Sequence, residues 1–274
     1  MPRSLWKGAV SFGLVTIPVK MYGATEEKDI AFRQVHDADG GRIKYRRVCE
    51  VCGEEVPFEH IAKGYDAGDG RMVTLEASDF EELPLPSAKA IDIVQFVDID
   101  SVDPAYFAKT YYLEAEGVGA KPYVLLRQAL AESNRAGIVK VALRSRETLA
   151  LVRVKGDVLM LHTMLWPDEL RDGAFAAPPA EIRASDAEVG MAKMFIEQLT
   201  GEFDPSQFTD AYRAALEAVV SAKLAGVPMP TETSSAAPSQ AEVVDLVAAL
   251  KASVEAAKKR REQAAASTET AKAG

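Results

Sequence analysis

Apolar and polar positions alternate from the first residues of the chain. Between residues 4 and 22, Trp6, Val10 and Phe12 share one face, and Val15, Ile17, Val19 and Met21 continue it. This predicts two extended segments meeting near Gly13. Pro18, with no amide hydrogen to donate, fits an edge or a bulge of such a sheet better than its centre. A further strand is predicted over 91–99. The spacing then changes to a helical period over 123–134, where Val124, Leu125, Leu126, Ala129, Leu130 and Ala131 recur, and Gly137 stands where that helix would stop. Two strands follow at 138–144 and 148–154, joined by Ser145, Arg146 and Glu147. In the first, Val139, Val141 and Leu143 share one face while Lys140 and Arg144 share the other. A third strand at 158–164 extends a meander of the kind that builds barrels.

After Pro178 and Pro179 the pattern is helical. Ser185 and Glu188 have the spacing of a capping box, with a helix to about residue 199. A second helix is predicted over 205–224, stopped by Gly226. Residues 227–239 are rich in Pro, Ser and Thr and read as a flexible linker. Beyond it, Val243, Leu246, Val247 and Leu250 mark an amphipathic helix over 241–261 that ends in Lys258, Lys259, Arg260 and Arg261.

Composition narrows the class. At 274 residues there is room for one large domain with an appendage or for two modest domains. No apolar run approaches the roughly 18 to 20 residues of a membrane span. The first twenty residues start basic and turn apolar, but Gly8, Ser11, Gly13 and Pro18 interrupt them, so a strand is expected there and not a signal peptide. Two cysteines cannot make a disulfide framework, which suits a reducing cytoplasm. The net charge of −9 argues against indiscriminate coating of DNA. Screening within about 8 Å, however, makes the local patch decisive. The window 121–155 is basic, with Lys121, Arg127, Arg135, Lys140, Arg144, Arg146, Arg153 and Lys155 against Glu132 and Glu147, whereas 66–103 is acidic.

The candidate chemistry is sparse. Cys49 and Cys52, followed by Gly53 in RRVCEVCGEE, match one knuckle of a zinc ribbon. Zinc wants four ligands, and the missing pair would come from His36 and His60 or from the same knuckle of a second subunit. A vestigial or metal-free hairpin is the plainer reading. A redox pair is not favoured, since the motif does not open a helix after a strand. The acidic run DIDSVD at 98–103 lacks the glycine turn of a calcium loop and reads as a solvated loop. His162, in an apolar strand, reads as a satisfied core histidine. No phosphate loop, dinucleotide fingerprint or catalytic triad is present, so no catalytic residue is assigned. The basic window either solvates the outer face of a sheet or, with Lys140, Arg144 and Arg146 together, follows a phosphate backbone.

The strings WKGAVSFGLVTIPVK at 6–20, YVLLRQALAESNRAGIVKVALRSRE at 123–147 and HTMLWPDELR at 162–171 resemble the bacterial Ku family, over about residues 4 to 226. The resemblance implies a mixed β and α fold: a β-barrel core at 1–180 with a hairpin insertion at about 33–75, and a helical C-terminal arm at 181–226. The linker at 227–240 and a basic-ended helical tail at 241–274 follow. It further implies a non-enzymatic homodimer, nucleoid-associated in the cytoplasm, forming a ring around a double-stranded DNA end. Such a protein acts in non-homologous end joining with DNA ligase D, whose recruitment falls to the C-terminal region. No cofactor is required, zinc at Cys49 and Cys52 being the one addition the pattern allows. The leading DNA contacts are Lys140, Arg144 and Arg146, then Arg42, Lys44, Arg46 and Arg47 around the hairpin, with Lys7, Lys20, Arg135 and Arg153 beside them. A zinc-ribbon regulator or adaptor, which needs a complete metal site, is the alternative, and an end-processing nuclease would need clustered carboxylates.

Overall fold

Gly13, with φ at +57°, turns the chain between β1 (Trp6–Phe12) and β2 (Val15–Gly23), so that Val10 lies opposite Ile17 and Trp6 opposite Met21. The computed structural model describes residues 2–76, 78–81, 89–143, 146–227 and 255. The chain divides into two compact units, Met1–Asp172 and Gly173–Gly274.

The first unit holds a closed barrel of seven strands: β1, β2, β5 (Ala90–Asp98), β6 (Phe107–Ala115), β7 (Arg135–Leu143), β8 (Arg146–Lys155) and β9 (Val158–Met164). Around the barrel the order is β1, β2, β6, β9, β8, β7, β5, and β5 closes the ring by pairing parallel with β1. Closure removes every edge, so Pro18 does not lie on one as expected. It sits instead where the β6 ladder begins at Val19, and its carbonyl accepts the Glu116 amide at 2.9 Å.

Alternation fills the barrel. Val10, Ile17, Val19, Ile91, Val139, Val141, Val152, Leu159 and Leu161 are wholly buried in one core. Each such side chain contributes about 1.5–3 kcal/mol by leaving water. Helix α2 (Ala120–Ser133) adds Tyr123, Leu126 and Leu130 to that core. The Tyr123 hydroxyl donates to the Leu113 carbonyl and accepts from the Leu159 amide, both at 2.7 Å, so one phenol joins β6 to β9. Burial raises its pKa. Tyr123→Phe would leave a buried carbonyl and a buried amide unpaired. The variant is expected to lose about 1–3 kcal/mol of stability in a denaturant titration, and a loss below a few tenths would show that the bridge contributes nothing.

Helix α2 stops earlier than Gly137. Asn134 takes the left-handed conformation at φ +49° and its amide bonds back to Ala131 and Leu130. Asn adopts that conformation more readily than other residues with a side chain, so it serves as the cap. Gly137 lies within β7, where an added Cβ would touch Ile93 and Phe96 at 3.4 and 3.5 Å. The acidic run is not a plain solvated loop either. Asp98 caps one 3₁₀ turn (Ile99–Ser101) by accepting from the Asp100 amide, and Asp103 caps a second (Pro104–Tyr106) through the Ala105 amide. The two turns bring Ile99, Val102 and Tyr106 onto Ala136, Leu151 and Met164, a second apolar cluster beside the barrel core.

After β2 the chain makes a long excursion. Two isolated bridges, Val35 with Arg42 and Val48 with Glu55, precede a hairpin of β3 (Lys63–Asp66) and β4 (Met72–Leu75), then one turn of helix, α1 (Ser78–Glu81). Gly64 lies inside β3. From residue 31 to 76 no side chain is buried, and only Cys49, Val56 and Leu75 are partly so. Phe32, Val51 and Phe58 are 68, 96 and 77% exposed.

In the second unit, α3 (Asp186–Leu199) starts at the Ser185–Glu188 capping box. The single helix expected over 205–224 is divided. Asp204 caps a 3₁₀ turn at Pro205–Gln207, and Asp210 caps a separate α4 (Ala211–Ala225), which Gly226 ends at φ +66°. The linker and tail lie outside the described residues, apart from Val227 and Glu255. Among the described residues no helix is long and apolar enough to cross a membrane.

Candidate nucleic-acid interface

Residues opposite one another in a ladder share a face, so register decides which cations leave the barrel. Lys7 lies opposite Lys20, both alternating with core residues, and both reach one carboxylate: Glu116 Oε1 is 2.8 Å from Lys7 Nζ and 3.5 Å from Lys20 Nζ. The hydrogen bond from Lys7, with the charge of both lysines, holds the Glu116 carboxyl below the usual range. Two cations thus share one anion. Arg135 at the start of β7 has Nη1 4.0 Å from Asp98 Oδ2.

Lys140 projects outward between the buried Val139 and Val141, opposite Asp92 on β5. Its ammonium is 3.5 Å from Glu147 and 5.7 Å from the centre of the Trp166 ring. Arg146 pairs with Leu143 in the ladder, not with an outward residue. Lys140 and Arg146, expected on one cationic surface, therefore leave the sheet with opposite parity. The strand connection is shorter than expected, Arg146 is already a ladder residue, and one position of offset exchanges the faces. Arg146 lines a hollow with Leu143, Thr148 and Trp166. Arg144 lies outside the described residues.

Arg153 is held by a network that the sequence did not announce. Its Nε donates to His162 Nε2 at 2.8 Å, which places the ring proton on Nδ1, 3.1 Å from Thr110 Oγ1. The Phe107 ring packs against the imidazole with centroids 5.3 Å apart. His162 therefore does not sit in the barrel core as expected: it faces outward, flanked by the inward Leu161 and Thr163. A signal existed, since a tight turn at Gly156 sets residue 162 opposite 151, one step along the face from 153. Burial first, then the charges of Arg153 and Lys155, lower the His162 pKa from 6.5 to about 4.

The sign follows from linkage. Below pH 6.5 the unfolded chain binds a proton that the folded imidazole refuses, so stability falls as pH falls from 6.5 toward 4, and above 6.5 the group contributes no slope. The limit is about 1.4 kcal/mol per pH unit, reduced by screening at a half-buried site. Melting temperatures of the wild type and His162→Gln at pH 7 and pH 4.5 check this. The wild type is expected to lose more on acidification, and equal losses would refute the linkage.

The hairpin cations are less neutralised. Arg46 Nη1 lies 3.3 Å from Glu55, and the Arg47 guanidinium lies over the Phe58 ring at 5.6 Å. The side chains of Arg42 and Lys44 enter no ion pair among the described residues. Beside them, the amides of Cys52 and Val51 and the Cys52 thiol all approach the Cys49 sulfur, which lowers the Cys49 pKa. His36 is 3.2 Å from Asp39 and His60 3.9 Å from Glu59, and among the described residues no three His, Cys, Asp or Glu side chains gather as a metal site.

Comparison with known proteins agrees with this architecture. The family described as the Ku70/Ku80 beta-barrel domain matches residues 11–191. A protein of Frankia casuarinae named non-homologous end joining protein Ku is 50% identical over 259 residues, covering 94% of this chain and 65% of its own length. This chain thus spans just under two thirds of that relative. Non-homologous end joining protein Ku 2 of Saccharopolyspora erythraea is 47% identical over 262 residues, covering 94% of this chain and 85% of its own. The protein of that name from Mycobacterium tuberculosis is 40% identical over 263 residues, at 94% and 96%. A closed barrel matched by the family over most of its length, with relatives at these identities, establishes that this chain belongs to the Ku family.

Proposed function

We propose that this chain acts in non-homologous end joining by binding the ends of double-stranded DNA as a ring-shaped homodimer, without catalysis, and that it recruits and stimulates DNA ligase D. The observation that carries the reading is the excursion at 31–76. It leaves a closed barrel, presents Phe32, Val51 and Phe58 to no core of its own, and carries Arg42, Lys44, Arg46 and Arg47. Apolar surface of that extent calls for a partner, and a second copy supplies a matching one across a two-fold axis. Two excursions meeting this way enclose a hole.

A duplex in such a hole is contacted along its phosphates, so binding is independent of sequence and steeply dependent on salt. Arg42, Lys44 and Arg47 are the foremost contacts in this reading because no carboxylate pairs with them among the described residues, with Arg153 and Arg146 next. Arg46, Lys7, Lys20, Arg135 and Lys140 share their charge with Glu55, Glu116, Asp98 and Glu147 and count for less. The body is residues 1–180 with the arm at 181–226, and ligase recruitment falls to the region beyond.

Gel-shift competition between equal masses of linear and relaxed circular duplex tests the ring. Linear DNA should be bound and closed circles ignored, because entry requires an end. Circles that compete as well as linear DNA would sink the reading.

A further inference from the structure

We propose that the mouth of the barrel beside Trp166 binds an unpaired nucleotide at the DNA terminus, so that ends with a single-stranded extension are held more tightly than blunt ones. The inference rests on the DNA-end reading and narrows the kind of end it concerns. A hollow of about 360 Å³ lies at this place. Tyr111 and Leu143 in its wall pack on the barrel core, and Thr148 and Thr163 lie opposite the core residues Val141 and Ala150 in their ladders. Inward-facing residues of β6, β7, β8 and β9 thus form the wall. Barrel mouths are common ligand sites, and such sites typically hold about 300–1,000 Å³.

The chemistry of the rim suits a nucleotide. Trp166 lines the hollow, and an indole ring stacks on any base whatever its identity. Arg146 and Lys109 line it too, and neither enters an ion pair among the described residues. Lys109 falls where the β6–β9 ladder slips between Phe107 and Thr110, and such a bulge re-aims the side chains within it. Two carboxylates are also present, but each is engaged. Glu147 is 3.5 Å from the Lys140 ammonium, and Glu169 accepts from the Trp166 amide at 2.7 Å. Arg146 and Lys109 are left to meet a phosphate while the ring meets the base.

Topology sets this mouth at the end of the barrel from which the excursion departs. The chain leaves the sheet after Gly23, which pairs with Tyr111, and comes back in β5, where Ile91 pairs with Val141. Tyr111 belongs to the wall of the hollow, and Val141 lies opposite Thr148, which belongs to it as well. Departure, return and hollow therefore share one end, where β6 and β8 begin and β7 and β9 finish. A strand running on past a duplex that the excursion holds has an aromatic ring and two cations at that same end.

The test titrates the full chain with labelled duplexes of equal paired length, blunt or ending in a short single-stranded extension, at one salt concentration. The extended duplex is expected to bind about tenfold more tightly, the effect of stacking one base on an aromatic ring. In Trp166→Ala and in Lys109→Gln, each checked first by thermal melting, the ratio of the two affinities is expected to fall toward one. A fluorescent adenine analogue as the first unpaired base gives a second reading: stacking on Trp166 quenches its emission, and Trp166→Ala restores it. Equal binding of both duplexes by the wild type overturns the inference and leaves end binding intact, whereas failure to bind either overturns both. A ratio that survives in either variant overturns the site. Should Trp166→Ala fail to fold, Lys109→Gln, at an exposed position, decides by the same ratio.

Discussion

Replacing residues 31–76 by a short Gly-Ser linker is expected to yield a folded monomer whose affinity for linear duplex has fallen at least about a hundredfold, or roughly 2.7 kcal/mol. The barrel should survive because its core draws on β1, β2, β5 to β9 and α2, and nothing between 31 and 76 is buried in it. The chain left between β2 and β5, residues 24–30 and 77–89 with the linker, has an extended reach on the order of 3.3 Å per residue, and it is expected to reconnect the two strands. Thermal melting within a few degrees of the wild type would show the barrel intact. End binding should fail for two reasons, loss of the surface on which two copies meet and loss of Arg42, Lys44, Arg46 and Arg47. A dimer that binds ends as before would end the ring reading. A variant that does not fold would show that the excursion supports the barrel after all.

The second large effect is expected from Arg42→Gln, Lys44→Gln and Arg47→Gln combined. Each lost phosphate contact lowers the slope of log affinity against log salt by about 0.9, so three contacts lower it by about 2.7. At low salt the loss of affinity should be greatest, and the difference from wild type should shrink as salt rises. The melting temperature should hardly move, since surface substitutions typically change stability within about 0.5 kcal/mol. Lys140→Gln is the control: its ammonium is already paired with Glu147 and opposite Asp92, so its slope should stay close to that of the wild type. A triple variant with wild-type slope would move the contact surface off the hairpin. A strong effect from Lys140 alone would show that its pairing with Glu147 opens in the complex.

Much of the barrel was legible because alternation is local. Val139 and Val141 against Lys140, or Ile17, Val19 and Met21 along β2, declare their faces without reference to any partner strand. Ser185 with Glu188 and Gly226 mark helix ends by chemistry confined to one turn. The same locality explains where the reading slipped. Asn134 competed with Gly137 for the end of α2, and both residue types are compatible with that role. Asp204 and Asp210 each capped a separate element in a stretch whose apolar spacing looked continuous.

The amino-acid sequence by itself determined six of the seven barrel strands, the presence of α2 and α3, the segregation of charge and the paired cysteines, since each depends on residues within a few positions of one another; β6 (Phe107–Ala115) and the division of the stretch at 205–224 it did not announce. Tertiary structure alone decided which of those residues meet. A connection one position shorter than expected turned Arg146 away from Lys140, because side-chain direction alternates at every residue of a strand. Pairing of β8 with β9 brought Arg153 to His162, and pairing of β1 with β2 set Lys7 and Lys20 on one carboxylate. The lack of any core in residues 31–76 was hidden for the same reason: burial is a property of what surrounds a side chain, and nothing in the apolar character of Phe32, Val51 or Phe58 tells whether their own chain will cover them.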